Sequence, residues 1–394
     1  MLTQEQFPEL FVASYNKSSA SINEPDGMAA VWNLHLKDRP EFLFHAQVSA
    51  SRNAVWLVTH TFRAQSDILA VQFSQFQPNI VIGGTYSGQI LLWDTRSRGP
   101  NPVLKTPLSA SGHTHPVYSL SLVGTQNANN LVSASTDGLV CTWALDMLAR
   151  PQEMLELSRT GHAKTDEVSV TSFAFPGSET ASFYVGTEEG NVYAANRYDR
   201  AGAKAGLVQN QVYQGHSGPV TGIDFHPIKG SVDLSDLFLT SGIDWTVKLW
   251  RAGGTSTAAS VGETRTAPSA SRREAPKVHH PVFSFESASD YVLDAKWHPE
   301  HPGIFGAVDG EGKFDVWNLT ADIEVPVASA VPSPVAGLNK LAWDKRDGRK
   351  VALGSADGRV HVYECGPALT ATRESDWERM RKLCKTAAPR TDAY

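Results

Sequence analysis

One short pattern returns seven times along the chain: a turn carrying Gly or Asp, then a strand that usually ends in an aromatic. It reads DGMAAVW from residue 26, SGQILLW from 87, DGLVCTW from 137 and EGNVYAA from 189, then DWTVKLW from 244, EGKFDVW from 311 and DGRVHVY from 357. An apolar strand ending in small residues precedes the turn, as in NIVIGGT at 79–85 and LFLTSG at 237–242. Strand, tight turn, strand is a hairpin signal. A further strand lies earlier still, as in PVYSLSL at 116–122 and PVTGIDF at 219–225, and a fourth follows the aromatic, as in EFLFHAQ at 41–47 and PVFSFE at 281–286. A four-stranded unit cannot cover its own apolar faces, so successive units must stack until the ring closes. The expected fold is all-β, a seven-bladed β-propeller. Small residues in the second strand let neighbouring sheets approach near the axis, and the third-strand aromatic fills the wider gap outside.

Composition narrows the class. With 394 residues and 41% hydrophobic residues the chain can bury a large core, and a formal charge of −6 gives no basic face for nucleic acid. The cysteines, Cys141, Cys365 and Cys384, are odd in number and form no C-x-x-C pair, so neither a disulfide framework nor a structural zinc site is implied and a reducing compartment fits. No signal peptide precedes PELFVASY and no apolar run is long enough to span a membrane.

Two blades carry the clearest side-chain set. Gly112-His113 leads to Ser133, Asp137 and Trp143; Gly215-His216 leads to Thr240, Asp244 and Trp250. Gly161-His162 is a weaker instance. Each His, Ser/Thr, Asp and Trp can join in one hydrogen-bonded chain that clamps loop to strand. A Ser/His/Asp nucleophile would need the same residue types, but recurrence in separate blades speaks for structure. GGTYSG at 83–88 has no following Lys-Ser/Thr and reads as a hairpin turn, not a phosphate cradle. The close pairs His113/His115, His279/His280 and His298/His301 have no second cluster at zinc spacing. No catalytic residue, cofactor or metal is implied.

The set Gly-His, Ser/Thr, Asp, Trp identifies WD repeats. PELFVASYNKSS at 8–19, PNIVIGGTYSGQILLWDTRS at 78–97, TPLSASGHTHPVYSL at 106–120 and HPGIFGAVDGEGKFDVWNL at 301–319 are more specific, and resemble the C-terminal propeller of cytoplasmic dynein intermediate chains. The resemblance implies a scaffold subunit of a microtubule motor in the cytoplasm, with the propeller docked on the tail of the dynein heavy chain. In the family an N-terminal extension binds light chains and dynactin; that region is absent here. ATP hydrolysis belongs to the heavy chain. An alternative rests on Trp93-Asp94-Thr95-Arg96, a W-D-x-R pattern shared with WD-repeat substrate receptors of cullin-type ubiquitin ligases.

Three departures from the family pattern stand out. Only MLTQEQ precedes PELFVASY, so the inner strand of blade 1 is missing or replaced, and Met1 is expected not to be the true start. Residues 48–65, VSASRNAVWLVTHTFRAQ, interrupt the pattern; they are either a surface loop or a retained intron, since their ends can be encoded with splice-site bases. Residues 252–279 are rich in Gly, Ser, Thr and Ala, with Arg272, Arg273 and Lys277, and read as a disordered loop. The propeller is assigned to 1–370. Residues 371–394 form a tail in which Trp377, Met380, Leu383 and Cys384 share one face of a short amphipathic helix, packed under the propeller or on the heavy chain. On the face of the second-to-third-strand turns, Tyr86, His115, Trp245 and Tyr291 are the candidate partner anchors.

Overall fold

The computed structural model describes residues 2–3, 7, 9–16, 27–36, 38–46, 66–108, 112–159, 167–177, 179–198, 206–253 and 277–386. The 48–65 insert, Gly161-His162, Arg272 and Arg273 lie outside them. Seven sheets, antiparallel except for one added strand in blade 4, follow one another along the chain as the blades of a propeller, and a helix follows the last. Blade 5 is representative: Val220–Phe225 lies innermost, then Leu237–Gly242, Val247–Arg251 and Phe283–Phe285.

The repeat positions explain the packing. Val117 of blade 3 lies so close to Gly84 that a Cβ there would sit 2.8 Å from its side chain; Val220 of blade 5 meets Gly186 at 2.7 Å. Further out, Trp93, Trp143, Trp250 and Trp317 are at most 2% exposed. The fourth strand of the preceding blade covers three of them. Phe44 stacks on Trp93 with ring centroids 5.7 Å apart, Tyr213 meets Trp250 at 6.0 Å, and Phe285 meets Trp317 at 5.0 Å.

Inner strands are tied blade to blade. Six of them skip their second residue in the pairing, between Ile68/Ala70, Val117/Ser119, Val170/Ser172, Val220/Gly222, Val292/Asp294 and Leu338/Lys340. Such bulges re-aim the extra side chain. Thr171 and Thr221, both at bulges, donate to Val220 O at 2.5 Å and Val292 O at 2.7 Å in the next blade. Asp224 accepts the Trp297 N–H at 2.8 Å and pairs with Lys296 at 3.1 Å; Asp294 accepts the Leu341 N–H at 3.2 Å. These groups line a central channel of about 550 Å³ and largely satisfy one another.

Blades 1 and 7 depart from the pattern. Among the described residues the inner strand of blade 1 is Leu2–Thr3, with Leu2 opposite Val12 and Thr3 opposite Phe11. Blade 7 has three strands among the described residues, Leu338–Trp343, Lys350–Ser355 and Val360–Glu364, where the repeat predicts four. After Glu364 come Cys365, Gly366 and Pro367, and the chain enters α1 (Pro367–Thr370) and then α2 (Glu374–Thr386). Proline has no N–H to give a ladder, which ends strand pairing there. One segment read as loop is a strand: Lys277–His279 runs parallel to Gln211–Gln214 as a fifth strand of blade 4.

Helix α2 begins with the Asp376 carboxylate accepting the Arg373 N–H at 3.0 Å, a cap on the first turn. Its apolar face, Trp377, Met380 and Cys384, is buried in one cluster with Leu237 of blade 5 and Trp297 and Leu319 of blade 6. The helix thus lies on the face of the first-to-second-strand loops, against blades 5 and 6. Gly230, at φ +98°, leaves room for Trp377, whose ring a Cβ there would overlap.

Candidate docking site

The seven second-to-third-strand turns share the opposite face. Six of them place glycine in the left-handed region: Gly27, Gly88, Gly138, Gly190, Gly312 and Gly358, with φ between 66° and 91°. The seventh places Trp245 there, at φ 66°. A bulky residue in this conformation costs on the order of 1–2 kcal/mol. Its indole is nevertheless 49% exposed, so the side chain does not repay the strain by burial in the chain itself.

Of the other anchor candidates, Tyr86 is 60% exposed and Tyr291 49%, and His115 is exposed with Nδ1 3.0 Å from Thr114 Oγ1. They fall into two groups. Tyr86 and His115 border the junction of blades 2 and 3, where the Gly88 turn abuts the His113 and His115 carbonyls. Trp245 and Tyr291 belong to blades 5 and 6. The structure adds Tyr118, 45% exposed, to the first group: burial, with Tyr86 and Glu188 nearby, raises its phenol above the ordinary value. Tyr118 is the second residue of its inner strand, where the pairing skips from Val117 to Ser119. Its only sequence signal is its place in PVYSL.

Beneath the face lie the two side-chain chains. In blade 5 the Trp250 indole N–H donates to Thr240 Oγ1 at 2.7 Å, Thr240 Oγ1 meets His216 Nε2 at 2.6 Å, and His216 Nδ1 meets Asp244 at 2.9 Å. Burial lowers the His216 pKa against the opposing pull of Asp244, so the ring is neutral and gives its Nδ1 proton to the carboxylate. Burial pushes Asp244 up, but His216, Thr246 and the Ser217 N–H outweigh it and hold the carboxyl below its usual range. Blade 3 repeats the arrangement with Trp143, Ser133 and His113 at 2.8 and 2.7 Å, but His113 Nδ1 stands 3.6 Å from Asp137. Both hydroxyls are fully buried and accept the indole proton, so neither can reach a substrate as a nucleophile. Among the described residues no group of three or more His, Cys, Asp or Glu could hold a metal ion, and no helix is long and apolar enough to cross a membrane. Burial pushes the Cys141 thiol up to about 12 and Cys384 to about 11, so both are inert at neutral pH. Arg96 of the W-D-x-R sequence is folded back on Asp94, with Nη2–Oδ2 at 2.7 Å and Nε–Oδ1 at 3.0 Å.

Fold and side-chain chains together define a WD-repeat propeller, and one of its faces exposes an aromatic rim. Comparison with known proteins agrees: residues 104–144 and 207–251 match the model described as WD domain, G-beta repeat. Over 374 residues, 95% of this chain, the sequence is 42% identical to cytoplasmic dynein 1 intermediate chain from Drosophila melanogaster, of which the match covers 49%. The chain belongs to the cytoplasmic dynein intermediate chain family, and spans about half the length of that relative.

Proposed function

We propose that this propeller is a non-catalytic scaffold of the cytoplasmic dynein motor complex. It docks on the heavy chain tail and supports microtubule-based transport in the cytoplasm. The observation that carries the reading is identity at 42% over 95% of the chain, ring and rim together, with a dynein intermediate chain. The strained and exposed Trp245 supports the rim as the contact surface, together with Tyr86, His115 and Tyr291: large aromatics with one free face are the commonest interface anchors. Light chains and dynactin are assigned to sequence outside the propeller.

The test is co-purification of the tagged 394-residue chain from cells that express the whole complex. The heavy chain is expected to follow the tag, and Trp245→Gly together with Tyr86→Ala to reduce its recovery about tenfold or more, as loss of two anchors should. Recovery of a cullin and its adaptor in place of the heavy chain would favour the ubiquitin-ligase reading, which the Asp94-bound Arg96 does not support.

A further inference from the structure

In the turns of blades 2, 4 and 6 the left-handed glycine closes onto a carbonyl of the loop that enters the next blade. A Cβ at Gly88 would sit 2.5 Å from His113 O, at Gly190 2.5 Å from His216 O and at Gly312 2.5 Å from Ser333 O. No side chain fits at that distance. Trp245 occupies the same place in blade 5 with a Cβ and a half-exposed indole. The loop entering blade 6, residues 286–291, therefore cannot close on this turn in the same way. Trp245 borders the opening, and the loop carries Tyr291, also half-exposed.

The charges of this sector are of one sign. Residues 243–246, 286–291 and 310–312 include Asp244, Glu286, Asp290 and Glu311 and no Lys or Arg. Asp244 is paired with His216. The lysines that follow the two turns are committed elsewhere: Lys248 Nζ donates to Ser284 Oγ at 2.9 Å and Lys313 Nζ to Asp315 at 2.8 Å. Asp290 is fixed in place. Its Oδ1 accepts the Tyr291 N–H at 2.7 Å, and its Oδ2 lies where a Cβ on Gly310 would come within 2.6 Å. The Ser289 hydroxyl donates to Glu311. Two carboxylates are thus held at the blade 6 turn, and no Lys or Arg among the described residues pairs with either.

We propose that the opening beside Trp245 is a receptor for one arginine side chain of a partner polypeptide, its guanidinium stacked on the indole and bridged to Asp290 and Glu311. An exposed ring attracts a cation to its face, tryptophan most strongly. A guanidinium is planar, weakly hydrated and forked, so it covers a ring while giving N–H groups to carboxylates; the compact ammonium of lysine does not. The inference rests on the reading of this face as a contact surface, and adds the chemistry that it contacts. It also gives a use to a tryptophan in a conformation that glycine takes freely.

The probe is a capped peptide with one arginine between two pairs of glycines, titrated into the full 394-residue chain and followed on the indole N–H resonances, among which Trp245→Gly identifies that of Trp245. Saturable binding is expected. The citrulline peptide, equal in shape and uncharged, should bind about tenfold more weakly, and the lysine peptide more weakly than the arginine one. Trp245→Gly should weaken arginine binding about tenfold, and so should Asp290→Asn combined with Glu311→Gln, without lowering the melting temperature. Absence of binding, or equal binding of the citrulline or lysine peptide, overturns the proposal. So does arginine binding indifferent to Trp245→Gly, which would be attraction to the net charge of −6 alone. Recovery of the heavy chain separates this inference from the reading beneath it. Loss of the heavy chain with Trp245→Gly and Tyr86→Ala, but not with Asp290→Asn and Glu311→Gln, keeps the rim as its contact and overturns the arginine. Peptide binding as expected, with heavy-chain recovery indifferent to every rim variant, upholds the arginine site and overturns the rim as the heavy-chain contact.

Discussion

The junction of blades 5 and 6 and the junction of blades 7 and 1 belong to the same ring, yet they are held by different means. The first is tied at every radius: Thr221 and Asp224 near the axis, Phe285 on Trp317 further out, and α2 underneath. The second has a two-residue inner strand, a half-buried Trp32 and an outer edge without its fourth strand among the described residues. Seven repeats of one pattern thus do not give seven equivalent seams. Strength follows how many of the repeat's partner groups each seam fills.

The largest contrast should come from the repeat tryptophans. Trp317→Ala at the filled seam is expected to cost about 3–5 kcal/mol in denaturant unfolding, and Trp32→Ala less than half of that. Equal costs would abolish the distinction. Next comes the polar chain of blade 5. Thr240→Val keeps the volume but strands the Trp250 N–H and His216 Nε2, at a cost of about 1–3 kcal/mol. Tyr15→Phe, which strands only the half-buried Trp32 N–H, should cost well under half as much.

Acid should act at the neighbouring seam of blades 6 and 7, where His298 Nε2 meets Gly348 O at 3.1 Å. Burial holds His298 down at about 4, and its Nδ1 already accepts the Glu300 and His301 N–H groups at 3.2 and 2.9 Å. The unfolded chain takes up that proton near the ordinary value of about 6.5 while the folded chain does not. Stability is therefore full above about 6.5 and falls as the pH drops toward 4, by on the order of 1–3 kcal/mol. His216 shifts in the same direction. Replacing His298 with Gln should flatten this slope in pH-dependent melting. An effect of opposite sign is expected at the rim: Trp245→Gly should raise stability by about 1 kcal/mol, because glycine takes φ 66° without strain. Unchanged or lower stability would mean that the indole contributes to the free propeller and is not held for a partner.

The repeat made the ring legible before any coordinate, because the turn, the small residues and the aromatic each answer to a packing need that recurs. The His–Ser/Thr–Trp geometry was legible for the same reason. What escaped was whatever depends on one copy's neighbour. Tyr118 reaches the rim only because a bulge turns it there, and no local pattern separates it from Ser119. Lys277–His279 reads as part of a polar loop, and becomes a strand only because the edge of blade 4 is within reach.

Tyr213 holds both ends of the excursion between Gly253 and Lys277. Its hydroxyl accepts the Gly253 N–H at 2.7 Å, and its ring stacks on His279 with centroids 4.7 Å apart. Closing a longer loop adds little entropy, roughly 0.6 kcal/mol per doubling of length. This is the place where the chain can be lengthened, nicked or given new termini, and a fluorescent module inserted there would report on the propeller while leaving its seams intact.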